Sequence, residues 1–196
     1  MFKIYAKMIA EDKGLLRIIV AYPGRFSPPT KAHGYVYKLL CSEFGADNVF
    51  ILTANPKQLN DKNPFTFDQK KEMLIAAGIS ADKIKQMQGS AYRWEDIAKS
   101  IGLVKPETVS LVSAMGAKDA ERVDTTKYYQ EYDATSELEP MNVHGYIKIV
   151  DNMKNDSDEI MNASAVRAAF RSGDMDIVRK SVEPGVFTWL TKNWSK

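Results

Sequence analysis

The run LLRIIVAY at positions 15–22 constrains the fold more than any other stretch of this 196-residue chain. It is apolar and branched, carries one charge at Arg17, and stops abruptly at Pro23 and Gly24. An apolar run without polar alternation marks a strand buried on both faces, as in the middle of a parallel sheet. Parallel strands cannot be joined by tight hairpins, so each must be followed by a crossover, usually a helix. The sequence supplies these crossovers. Residues 30–43 have helical spacing, with Tyr35, Val36, Leu39 and Leu40 on one side and Gly45 as the stop. Strands are expected at 48–53 (NVFILT), 82–88, 108–114 (TVSLVSA) and 145–150 (GYIKIV), and helices at 66–77 and 94–101. A helical C-terminal part opens at 164–171. This alternation implies βαβ units, right-handed crossovers and a five-stranded parallel sheet with helices on both faces. Ligands of such sheets bind beyond the carboxyl ends of the strands, here the loops after Tyr22, Thr53, Ala114 and Val150.

The length suits one domain, taken as residues 17–196, preceded by an extension at 1–16. Lys and Arg number 27 against 25 Asp and Glu, a net charge of +2 spread thinly along the chain. That excludes a bulk nucleic-acid binder working by counterion release, which needs a concentrated basic footprint. A hydrophobic content of 44% with 27% charged residues is globular rather than disordered. No apolar run nears the roughly 18 residues that span a bilayer, so no membrane partner is expected. The opening MFKIYAKMIAEDKG is interrupted by Glu11 and Asp12 and does not read as a secretory signal. One cysteine, Cys41, cannot form an intramolecular disulfide and favours a reducing compartment. The expectation is a soluble, cytoplasmic protein whose extension offers a surface to a homo-oligomer or an assembly partner.

Two segments carry chemistry. In the first, Tyr22 to His33, a glycine directly after a buried strand permits a tight turn and close backbone approach to a ligand. Pro28 and Pro29 stiffen the entry to a helix on which Thr30 and His33, three apart, share a face. A helix N-terminus is a ready anion site, and a hydroxyl and an imidazole there suit phosphate oxygens. The second segment is MNASAVR at 161–167, with Asn162 or Ser164 as the N-cap of an alanine-rich helix. Arg167 falls in the first turn, where the helix dipole disfavours a cation unless an anion joins it. Arg25 follows the loop glycine toward the same pocket, and Lys57, Lys62 and Lys71 are candidates for a mobile cation closing over phosphates. His144 reads as the start of a strand and Cys41 as a packed thiol; no Cys or His spacing suits zinc.

Together these segments resemble the nucleotidyltransferase superfamily, which carries H-x-G-H on its first helix and I-S-S-T-x-x-R near its end. Gly24-Arg25-Phe26-Ser27-Pro28 matches the G-x-F-x-P lead-in, and Thr30-Lys31-Ala32-His33 takes the place of H-x-G-H. Asn63-Pro64-Phe65-Thr66-Phe67, followed by Lys70, Lys71 and Met73, looks like a segment of NMN adenylyltransferases. The resemblance runs in consistent order over residues 18–171. It departs at Thr30, a replacement familiar in phosphopantetheine adenylyltransferases and some NMN adenylyltransferases, at Ala32 for glycine, and at Asn162 and Ser164 for serine and threonine. The chain also looks like nucleotidyltransferase-like proteins encoded by large tailed phages.

The resemblance implies a Rossmann-like (HUP-type) α/β fold and transfer of a nucleotidyl group, AMP ahead of CMP, from a nucleoside triphosphate to a phosphorylated small molecule such as NMN. It assigns catalysis to His33, Thr30 and Arg167. Nucleotide binding falls to Gly24, Arg25, Phe26, Asn162, Ser164, Gly116 and Asp119, and the acceptor phosphate to Arg93. Mg²⁺ is implied as a cofactor held by phosphate oxygens, since no dense carboxylate cluster is evident. The departures leave room for a catalytically silent relative, a nucleotide-binding or structural module of a viral particle located in host cytoplasm or virion. A class I aminoacyl-tRNA synthetase fragment shares the first motif, but this chain lacks the lysine-rich signature loop.

Overall fold

The computed structural model describes residues 16–123, 127–150 and 162–194. Strand β1 (Arg17–Pro23) leads into helix α1 (Lys31–Phe44), followed by β2 (Val49–Thr53), α2 (Phe67–Ala76), β3 (Ile84–Gln86) and α3 (Trp94–Ile101). Next come β4 (Val109–Met115), the single turn α4 (Ala117–Ala120), β5 (Tyr129–Glu131) and β6 (Gly145–Ile149). Three helices follow: α5 (Ala163–Ser172), α6 (Met175–Ser181) and α7 (Pro184–Asn193). Every strand pairing is parallel, in the order β3-β2-β1-β4-β6-β5. All seven residues of β4 are buried, as are Ile19 to Tyr22 of β1, so the two most apolar segments occupy the centre.

Helices cover both faces, as expected. On one face Ile97 and Ala98 of α3 join Ile19, Leu52 and Leu111. On the other, Val36 and Leu40 of α1 and Leu74 of α2 join Val20, Ile51 and Val112. The sheet has six strands, not five. The addition is β5, a three-residue edge strand in which only Tyr129 is buried, too short to display a period. The third strand is shorter than expected because residues 81–83 coil into a 3₁₀ turn first. On α1 only half of the expected apolar stripe faces the sheet. Val36 and Leu40 are fully buried, whereas Tyr35 and Leu39, each about 100° round the helix from them, are 45% and 49% exposed.

The extension expected at 1–16 lies outside the described residues except for Leu16. No described helix is long and apolar enough to cross a membrane.

A third apolar cluster decides where the C-terminal helices sit. Val166, Ala169 and Phe170 of α5 pack with Phe65 and Met73 of the α2 region and with Val178, Val186 and Leu190. The closest approach is at Gly185, where an added Cβ would lie 2.1 Å from the carbonyl oxygen of Ala76. Gly185→Ala therefore has to push α7 off the end of α2. Urea unfolding of that variant is expected to show a loss of about 1–3 kcal/mol, the usual cost of overpacking.

Candidate active site

The loop from β1 to α1 is pinned from three sides. Gly24 N–H donates to Leu52 O at 3.0 Å, Thr53 Oγ1 donates to Arg25 O at 3.2 Å, and Arg167 Nη1 donates to Ser27 O at 2.6 Å. Inside the loop Phe26 adopts a positive φ of 45°, a conformation that costs a non-glycine residue roughly 1–2 kcal/mol. Its ring is buried (1% exposed), meeting Tyr22 edge-on at 5.5 Å and His33 at 4.9 Å. A Cβ at Gly24 would lie 2.7 Å from Phe26 Cε2. The missing side chain of Gly24 thus makes room for the protein's own ring, and Phe26 acts from beneath the loop as a wedge.

Thr30 caps α1 and is buried. Its N–H donates to His33 Nδ1 at 2.9 Å, and its Oγ1 lies 2.8 Å from the same nitrogen. A nitrogen that accepts a backbone N–H cannot carry the ring proton, so the neutral imidazole is the Nε2–H tautomer. Burial pushes the His33 pKa down to about 4, which keeps the ring neutral at physiological pH. The outcome is an oriented neutral donor at a helix N-terminus.

From across the fold, α5 brings a second set. Asn162 is the N-cap, its Oδ1 accepting from Ala165 N–H at 2.9 Å. Arg167, 7% exposed, spans from Ser27 O to Ser164 Oγ, the latter accepting from Nη2 at 3.0 Å. Burial, then repulsion from Arg25 and Arg171, lowers the Arg167 pKa. Asp61 opposes this and forms an ion pair with Arg171 at 2.8 Å.

A further cation, Lys70 of α2, is 2% exposed, with its ammonium on Ala54 O at 2.9 Å. Burial, then Arg25, pushes its pKa down to about 8. Among the described residues none of Arg25, Lys70 and Arg167 forms an ion pair. Lys70 and Arg167 each lie within electrostatic reach of Arg25, with Asp61 the one carboxylate that acts on Arg167, and this excess of positive charge makes a site for a polyanion.

The remaining candidates lie apart from this centre. Gly116 caps α4, and Asp119 reaches a neighbouring cleft of about 200 Å³ over the carboxyl ends of β1 to β4, lined also by Gly24, Leu52, Met87, Tyr92 and Met115. Arg93 does not line that cleft: it is exposed, with Nε 3.8 Å from both Glu95 and Asp96. Lys57 and Lys62 are exposed in the loop before α2, and Lys71 is half-buried.

Residues 21–192 match the family model described as cytidylyltransferase-like. The chain belongs to that family, within the nucleotidyltransferase superfamily. Among solved structures 89 chains match. Nicotinic acid mononucleotide adenylyltransferase of Plasmodium falciparum complexed with NaAD is 16% identical, with a TM-score of 0.58 over 90% of this chain and 95% of that one. The same enzyme complexed with APC gives 0.57 at the same identity and coverage. No curated protein sequence matches the chain.

In this cytidylyltransferase-like chain the residue that sequence reasoning missed is Lys70. The signal lay in its register: Lys70, Met73 and Leu74 form the buried i, i+3, i+4 stripe of α2, so a lysine stands where a core residue belongs. A desolvated cation without a counter-charge is a stability cost. At pH 7, Lys70→Met is expected to hold or raise stability by about 1–3 kcal/mol in urea, while affinity for a nucleoside triphosphate falls about tenfold. The sign follows from the lowered pKa. The stability linked to Lys70 is present above its unfolded value near 10.5 and lost as pH falls through about 8. The variant should therefore lack the wild-type rise in stability between those values.

Among the described residues no three of His, Cys, Asp and Glu converge as a metal cage. Imidazole, guanidinium and ammonium are donors that suit phosphate oxygens.

Proposed function

We propose that the protein transfers a nucleotidyl group from a nucleoside triphosphate to the phosphate of a small-molecule acceptor such as NMN, releasing pyrophosphate. The observation that carries this reading is the neutral His33 Nε2–H donor at the end of the loop that Arg167 fastens through Ser27 O, together with three cations, Arg25, Lys70 and Arg167, that form no ion pair among the described residues. An acceptor phosphate oxygen attacks the α-phosphorus and forms a new P–O bond. The bond from the α-phosphorus to the bridging oxygen breaks, and pyrophosphate leaves with the electron pair. The nucleophile is already an anion, so no general base is needed. Catalysis is positioning and stabilisation of developing charge. His33 donates to the phosphate chain as charge grows, with Thr30 holding its tautomer. Ser164 and Arg167 hold the far phosphates, and Arg25 and Lys70 supply field. Magnesium, if bound to the triphosphate, would be held by phosphate oxygens and would supply neutralisation of part of their charge, while Arg25, Lys70 and Arg167 of this chain supply the rest. AMP is favoured over CMP by the G-R-F lead-in, the N-P-F-T-F segment and the likeness to adenylyltransferases.

The test is pyrophosphate release with Mg²⁺, ATP or CTP, and a panel of phosphorylated acceptors. Turnover with at least one pair supports the reading. No turnover, together with a triphosphate-induced rise in melting temperature, identifies a silent binding module instead.

A further inference from the structure

At the amino ends of the strands, opposite the candidate site, lies a groove of about 750 Å³ lined by Leu16, Leu138, Pro140 and Tyr146 and by Glu137 and Glu139. Hydrogen bonds fix the segment that forms its wall. Ser110 Oγ donates to Glu139 O at 2.8 Å, Glu139 N–H donates to the Tyr146 hydroxyl at 2.8 Å, and Met141 N–H donates to Val109 O at 2.7 Å. Glu139 lies 3.3 Å from His144 Nε2, whereas Glu137 forms no ion pair among the described residues. No described lysine or arginine lines the groove. It thus combines apolar surface with acidic charge.

The place where the described chain begins decides what is near enough to fill it. Leu16, the first described residue, is itself part of the lining, and β1 starts at Arg17. Residues 1–15 are therefore tethered at the groove. In residues 1–10, MFKIYAKMIA, every position is apolar except Lys3 and Lys7. Such a run gains by finding apolar cover. Only EDKG and Leu15 separate it from Leu16, so Ala10 lies at most about 20 Å from that residue. Tethering makes the encounter intramolecular, at an effective concentration of about millimolar order, so contacts too weak to hold a separate peptide can hold this one.

We propose that residues 1–10 of the same chain occupy this groove, their apolar side chains against Leu138, Pro140 and Tyr146, and Lys3 and Lys7 facing Glu137 and Glu139. Within that stretch the charge is wholly positive and the lining carries two carboxylates, so the signs match. Glu11 and Asp12 fall in the linker beside Lys13. The inference does not depend on nucleotidyl transfer, because groove and candidate site lie at opposite ends of the sheet.

A benzophenone photocross-linker placed at Tyr5 of the full chain tests this. Irradiation followed by peptide mass mapping is expected to give cross-links to residues 137–146 within single chains. Glu137→Lys should lower their yield about two- to fivefold, the worth of an exposed charge pair, and adding Lys3→Glu and Lys7→Glu should recover it. The measurement needs no substrate, so its outcome is independent of the enzymatic reading. Cross-links to other surfaces, no cross-links, or a yield indifferent to Glu137→Lys overturns the proposal. Cross-links to the groove found only in a species of twice the mass would put the segment of a second copy there, and overturn it as well.

Discussion

His33→Ala is expected to lower kcat for pyrophosphate release by about 10²–10³-fold, the usual effect of deleting one donor aimed at developing charge. The KM for the triphosphate should change little, because Arg25, Lys70 and Arg167 remain. The donor is unusual in being neutral. Burial holds the ring pKa near 4, and the Thr30 N–H on Nδ1 leaves the proton on Nε2. The rate should therefore show no acid limb from this ring between about pH 5 and 8. With only two histidines in the chain, nitrogen NMR can follow the His33 ring directly, and an Nδ1–H tautomer or protonation near pH 6.5 would contradict the mechanism. The linked stability has a definite sign. With the folded pKa below the unfolded one, it is present above about 6.5 and is lost as pH falls through about 4. His33→Ala removes that share of acid destabilisation. Wild-type turnover in His33→Ala would refute the assignment.

Arg167→Ala is expected to act on two quantities together. Its guanidinium is buried and links the β1–α1 loop to α5 through Ser27 O and Ser164 Oγ, so removal should cost about 1–3 kcal/mol in urea unfolding. Loss of a charge-assisted phosphate contact should raise the KM for the triphosphate about 10–100-fold. Arg167→Lys restores the charge but not the fork that spans both oxygens, and should recover stability only in part. Calorimetry with a non-hydrolysable triphosphate separates the two effects. An unchanged affinity in a folded Arg167→Ala protein would leave the residue a structural tie alone.

The strands at the centre of the sheet were legible because burial on both faces writes an unbroken apolar run, as in 15–22 and 108–114. The edge was not: β5 spans three residues and buries one, below the length at which any period exists. At the site, Thr30, His33, Ser164 and Arg167 could be found because each sits at a helix terminus with a recognisable cap. Phe26 was read as a nucleotide contact, and the structure places its ring under the loop instead. A motif position does not reveal which way a side chain points when its φ is positive. Lys70 was hidden by its neighbour. Two adjacent lysines look like a solvated pair, and only the helical register separates the buried one from Lys71.

The Phe26 wedge has a thermodynamic corollary. A loop braced by its own aromatic ring and fastened at Gly24, Arg25 and Ser27 has little backbone freedom left to lose when a ligand arrives. Triphosphate association should then lack the heat-capacity signature of coupled folding, and its rate should depend on ionic strength rather than on a slow conformational step. Replacing Phe26 with a small residue would convert a rigid receptor into one that must order itself at each encounter.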